Sequence, residues 1–125
     1  MVVEDEFFQA KDLVCALSEA GARLVGPFPS VDDALEALQQ DGAVDAAVLD
    51  INLRGRAVYE VADLLAERGI PFLFATGYDP DLVPSAHQAR PICIKPFRFE
   101  NLVAQMVALC ADASGGGDQQ AHKLV

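Results

Sequence analysis

The chain has 125 residues, 52% of them apolar, with 9 basic and 19 acidic side chains and a net charge of −10. That length and apolar content suit one globular domain with a real core and exclude a disordered chain. Scattered basic residues in an acidic chain exclude a duplex-binding surface, and the absence of a span-length apolar run or a basic-then-apolar leader leads us to expect a soluble, cytoplasmic protein.

Met1–Val3 reads as a very short strand, cut off by Glu4, Asp5 and Glu6. From about Phe8 to Ala20, Leu13, Leu17 and Ala20 recur at helical spacing, and Gly21 stops the run. Arg23–Gly26 is a second short strand. Ser30 is placed to cap a helix, with Asp33 three residues on. Val31, Ala34, Leu35 and Leu38 line one face of that helix, which ends near Gly42. Asp45–Ile51 is the third strand. Ala57–Arg68 is a helix with Val58, Val61, Ala62 and Leu65 inward, closed by Gly69. Ile70–Gly77 is the fourth strand, apolar on both sides as a central parallel strand requires. Pro80 and Pro84 break up the segment from Tyr78 to Arg90, leaving room for one short helix at most. Pro91–Lys95 is the fifth strand and Asn101–Ala111 the last helix, with Leu102, Met106 and Leu109 on one face. Residues 112–125 form a Gly-rich polar tail, expected to be disordered.

Alternating strands and helices with short connections predict an α/β fold: a single doubly wound parallel sheet with helices on both faces. Cys15, Cys93 and Cys110 are odd in number and form no CxxC, so free thiols in a reducing compartment are expected. His87 and His122 have no ligand spacing near them, and a zinc site is not expected.

In such a sheet the carboxyl ends of the strands share one edge, where ligands bind. The first strand brings Glu4 and Asp5 there, the third Asp50, the fourth Thr76 and the fifth Lys95, followed by Pro96. Close carboxylates repel unless a cation sits among them. Magnesium suits such a site, since it takes one or two carboxylates and welcomes phosphate oxygens. Lys95 would supply a point charge to a phosphoryl oxygen and Thr76 a hydroxyl donor. Asp50 would be the nucleophile, forming an aspartyl phosphate. The bland alternatives are a capping Asp50, a solvated acidic turn at Glu4 and Asp5, a turn-forming Thr76 and a surface Lys95.

With "VVEDE", "VLDINLRG", "FATG" and "IKPF" in this order, residues 1–111 resemble the receiver domain of two-component response regulators. The resemblance implies a flavodoxin-like, five-stranded sheet of order 2-1-3-4-5, with a fourth helix that is short or irregular here. It implies phosphorylation of Asp50 by a histidine kinase or phosphotransfer protein, assisted by Thr76 and Lys95. Mg2+ (or Mn2+) would be held by Asp5, Asp50 and the backbone carbonyl of Asn52, with Glu4 acting mainly through water. It also implies a cis peptide between Lys95 and Pro96, aiming Lys95 into the site. "PFLFATGY" is similar to the Phe-Ala-Thr-Gly-hydrophobic-Tyr signature of stand-alone receivers, with Tyr78 one residue early. "GPFPSVDDAL" and "LDINLRG" resemble receivers served by kinases of the HWE class.

A receiver of this kind is a monomer or weak dimer that binds a downstream protein or acts as a phosphate sink. It is not a turnover enzyme, and neither nucleic acid nor membrane is a direct partner. Two departures stand out. Ile92 occupies the position where many receivers carry Tyr or Phe, and family members usually have a few more residues before the acidic pair. Ile92 and the weak fourth helix motivate the alternative of a pseudo-receiver, a phosphorylation-independent interaction module. An aspartate-nucleophile phosphatase is disfavoured by Asn52, where a second acid would stand. A flavodoxin-type module is disfavoured by the acidic "EDEFFQA" in place of a phosphate loop.

Overall fold

The computed structural model describes residues 1–40, 44–77 and 83–113. In chain order the elements are β1 (Val2–Val3), α1 (Phe7–Glu19), α2 (Val31–Gln40), β2 (Ala47–Leu49), β3 (Asn52–Leu53), β4 (Arg56–Ala57), α3 (Tyr59–Glu67), β5 (Phe72–Thr76), β6 (Ile92–Ile94) and α4 (Phe99–Ala113). Four strands form one parallel sheet in the order β1-β2-β5-β6. Val3 lies opposite Leu49, Leu49 opposite Phe74, and Phe74 opposite Ile92. This is the α/β architecture expected from the alternating pattern.

Side chains alternate across a strand, so each strand feeds both faces. Val3, Ala47, Leu49, Phe72 and Phe74 meet Val31, Ala34 and Leu38 of α2 and Val61, Ala62 and Leu65 of α3. Val2, Val48, Leu73, Ala75 and Cys93 meet Leu13 and Leu17 of α1 and Leu102, Met106 and Cys110 of α4. The helices start where the polar residues direct. Glu6 accepts hydrogen bonds from the Phe8 and Gln9 amides, at 3.3 and 2.8 Å, and begins α1. Ser30 Oγ accepts from the Asp33 amide at 3.1 Å and begins α2, as expected of a capping serine.

The expected second strand, Arg23–Gly26, is corrected by the structure. The segment does follow the outer edge of β1: the Val2 N–H donates to Val25 O, the Phe28 N–H to Val2 O and the Glu4 N–H to Phe28 O. A regular parallel ladder would take the second of these donors from residue 27, which is Pro27 and has no N–H. One extra residue is therefore taken up, and a single bridge, Val3 to Phe28, is all that forms. Gly26 makes the kink, with φ 104 and no room for a side chain, since a Cβ there would lie 2.7 Å from Val2 O. The five-stranded order thus reduces to four regular strands with a bulged strip at the edge.

Between β5 and β6 the described residues contain one 3-10 turn, Ser85–His87, where a short or irregular fourth helix was expected. His87 pins this turn to the sheet. Its ring is buried, stacks on Tyr59 at 6.1 Å and meets Phe72 and Phe74 edge-on. Nε2 lies 2.7 Å from Asp63 Oδ1 on α3, while buried Nδ1 has no hydrogen-bond partner among the described residues. Tyr78, Pro80 and Gly42, together with tail residues 114–125, lie outside the described residues. No helix among those described is long and apolar enough to cross a membrane.

Candidate functional site

Parallel strands in register bring their carboxyl ends to one edge, and the residues that follow them converge. β1 runs into Glu4 and Asp5, β2 into Asp50, β5 ends on Thr76, and β6 runs into Lys95. Oxygens of Glu4, Asp5 and Asp50 all lie within 4.8 Å of one another. Lys95 Nζ donates to Glu4 Oε1 at 2.9 Å and to Asp50 Oδ2 at 3.2 Å. Backbone bonds hold the edge in place: the Asp50 amide donates to Val3 O, and the Lys95 amide to Thr76 O at 2.8 Å. The Lys95–Pro96 peptide is cis, as the resemblance implied.

Glu4, Asp50 and Thr76 are buried, at 3%, 8% and 1% exposure, and Asp5 is half-buried. Acids that close and that buried are costly to ionise together. Burial pushes the Glu4 carboxyl up to about 7; the neighbouring Asp50 adds to the shift, while the Lys95 ammonium and the Glu6 amide oppose it. Burial pulls Lys95 down, but its bonds to Glu4 and the charge of Asp50 outweigh this and hold it above its ordinary range. Three carboxylates thus face one ammonium. A hard, all-oxygen donor set with surplus negative charge fits a Mg2+ or Mn2+ ion.

The structure therefore brings together Glu4, Asp5, Asp50 and Lys95, and strand register puts Thr76 at the same edge, opposite Ile94. Asn52 is exposed. Its side-chain oxygen is used locally, accepting from the Gly55 amide at 3.1 Å.

The residues after Asp50 do something that the reading of the sequence missed. β3 and β4 pair as an antiparallel hairpin, Asn52 opposite Ala57 and Leu53 opposite Arg56, closed by Arg54 and Gly55 with φ 54 and 83. Positive φ at both positions is the type I′ turn, and an X-Gly pair between two strand residues was the available signal. The Arg54 amide donates to Asp5 Oδ2 at 2.9 Å, tying the hairpin to the acidic cluster.

No family model matches the chain. The two-component response regulator PhoP of Pseudomonas aeruginosa is 33% identical over 120 residues, which cover 92% of this chain and 52% of PhoP. The chain thus spans about half the length of the curated relative it matches. The solution structure of SdrG from Sphingomonas melonis Fr1 is 39% identical, with a TM-score of 0.75 over 86% of this chain and 92% of that one. A CheY-like response regulator receiver domain protein from Methanospirillum hungatei JF-1 is 17% identical and shares the fold, with a TM-score of 0.80 over 93% and 95% of the two chains.

Proposed function

We propose that the chain is a receiver domain of the response-regulator type and a phosphoacceptor switch, in which Asp50 takes a phosphoryl group from a histidine kinase or phosphotransfer protein; its 33% identity to about half of PhoP and the fold it shares with a CheY-like receiver support this. One observation carries this reading: the Lys95 ammonium bonded to both Glu4 and Asp50, with Asp5 in reach.

In the proposed step an Asp50 carboxylate oxygen bonds to phosphorus as the bond to the donor's leaving group breaks. The electron pair leaves with that group, an imidazole nitrogen of the kinase or the carboxylate of a small acyl phosphate. Lys95 is within reach of Asp50 and would shift its contact to a phosphoryl oxygen as charge builds there. Thr76, at the adjoining strand end, would donate its hydroxyl to another. Glu4, Asp5, Asp50 and the backbone carbonyl of Asn52 would hold Mg2+ or Mn2+. That ion, when bound, neutralises phosphoryl charge.

Phosphorylation would alter binding to a downstream protein or make the domain a phosphate sink. In this reading the domain assists its own phosphorylation and dephosphorylation and does not turn over an external substrate. "LDINLRG" and "GPFPSVDDAL" support a kinase of the HWE class, and "FATGY" supports the stand-alone type. A cytoplasmic location and a monomeric or weakly dimeric state follow from the same reading. Residues 1–111 form the receiver domain in it, and α4 runs on to Ala113, two residues into the segment expected as a tail.

Intact-mass measurement after incubation with acetyl phosphate tests it. Wild type gains one phosphoryl group only when Mg2+ is present, and Asp50→Asn gains none. Uptake that persists in Asp50→Asn would overturn Asp50 as acceptor. A folded wild type that takes up nothing would favour the phosphorylation-independent interaction module, whose structural motive is Ile92, half-buried against the core.

A further inference from the structure

Asp5 lies two residues beyond the end of β1 and is the least buried of the three acids, so the sheet alone does not orient its carboxylate. A contact from far along the chain does: the Arg54 N–H donates to Asp5 Oδ2 at 2.9 Å. The hairpin that presents this amide is braced on several sides. Leu53 is buried in the core at 2% exposure. The Gly55 amide is held by Asn52 Oδ1 at 3.1 Å. The Arg56 guanidinium bonds Asp32 of α2 at 2.7 Å and Glu60 of α3 at 2.5 Å. Arg54 itself sits in the left-handed region, at φ 54, with its side chain exposed. A residue other than glycine adopts that conformation only when its surroundings impose it.

We propose that the β3–β4 hairpin is a positioning device for the cation site: the Arg54 amide fixes the Asp5 carboxylate so that it meets Glu4 and Asp50 as a preformed ligand set. The inference rests on the reading that a divalent ion binds these acids. Carboxylates that ligate metals are commonly oriented by hydrogen bonds from a surrounding layer, and losing such a partner costs about 10- to 100-fold in metal affinity. The Arg54 main chain does this work, so its side chain is replaceable. The turn around it is not. Gly55 supplies the second positive φ, and a Cβ there would meet open space, so Gly55→Ala acts through backbone conformation without a clash.

The test is titration calorimetry with Mg2+ and with Mn2+, together with hydrogen exchange of the Arg54 amide in the metal-free protein. Gly55→Ala and Asn52→Ala both loosen the turn, and each should weaken ion binding about tenfold or more while the domain stays folded; Gly55→Ala does so without altering Asn52, whose carbonyl is in the proposed ligand set. Arg54→Asn keeps the amide and tolerates a positive φ without the added freedom of glycine, so its affinity should stay near wild type. Asp5→Ala removes the acceptor, and exchange at the Arg54 amide should quicken without any ion present. Folded Gly55→Ala and Asn52→Ala proteins with wild-type affinity would overturn the proposal. So would Arg54→Asn binding as weakly as Gly55→Ala, since the Arg54 side chain would then be responsible. A wild type whose Arg54 amide is protected but which binds neither ion would overturn the cation reading, and this inference with it.

Discussion

At the carboxyl edge of the sheet, one ammonium, Lys95, faces Glu4 and Asp50 with Asp5 close by. On the α3 side of the same sheet, one imidazole, His87, faces a single carboxylate, Asp63, and the rings of Tyr59, Phe72 and Phe74. Both clusters bury polar groups, yet their charge balance differs. The first carries more negative than positive charge, and its deficit is one that a cation can fill. The second is different: Nε2 is hydrogen-bonded to Asp63, whose carboxylate is 67% exposed to water, and Nδ1 is buried without a hydrogen-bond partner among the described residues. A surplus of buried charge makes a region responsive to ligands, whereas a ring held among aromatic neighbours, with its one carboxylate partner open to water, fastens a chain segment in place.

The largest effect should come from removing the lone cation of the first cluster. Lys95→Ala leaves the acids uncompensated and should cost about 3 kcal/mol in chemical denaturation, at the low end for a broken buried pair because Lys95 retains some exposure. Millimolar Mg2+ should recover part of that loss. A Lys95→Ala protein as stable as wild type, with or without the ion, would break the contrast. His87→Ala comes next, at about 1–2 kcal/mol for the lost ring packing and one hydrogen bond. Its ion affinity should not change, and His87→Phe should restore most of the stability. If His87→Ala weakened Mg2+ binding as well, the two clusters would not be independent.

A smaller effect is visible in pH dependence. The Glu4 carboxyl is raised in the folded protein to about 7, above its ordinary value near 4.5. A raised folded value means that the folded state binds the proton more tightly than the unfolded chain does. The contribution is therefore fully present below about 4.5 and is lost as pH rises toward 7. Metal-free stability should fall across that window more in wild type than in Glu4→Gln, measured as unfolding midpoints at fixed ionic strength. Mg2+ should stabilise increasingly over the same range, because it competes with that proton. The smallest effect belongs to Arg56→Ala. Its ion pairs with Asp32 and Glu60 are solvent-exposed, and the unfolding midpoint should barely move.

Much of this was legible in the residues. The sheet edge is a consequence of parallel pairing, so acids after the first and third strands and a lysine after the last had to converge once those strands were recognised. The helices were nearly as plain, because their apolar spacing is long enough to be unambiguous, although Ala57, expected to open the third, pairs in β4 and that helix starts at Tyr59. Arg23–Gly26 was misread for a local reason: its apolar character matches a strand, but Pro27 removes the donor that the ladder needs. The hairpin after Asp50 was hidden by its size, since two-residue strands carry no periodicity. The pairing of His87 with Asp63 was illegible because the partners lie on different elements and neither fits a ligand spacing. Asp5's dependence on a main-chain donor leaves no mark on side-chain identity at all.

The bulged strip along β1 has a consequence for the molecule in a crowded solution. A sheet margin with a continuous row of unpaired amides and carbonyls is a template on which another chain can add a strand. Here the margin of β1 is occupied by Val25 and Phe28, and the strip that covers it is interrupted by a left-handed glycine and a proline. Such a strip satisfies β1 without itself presenting a straight ladder outward. The irregularity that cost the sheet a regular strand thus guards this side against edge-to-edge association.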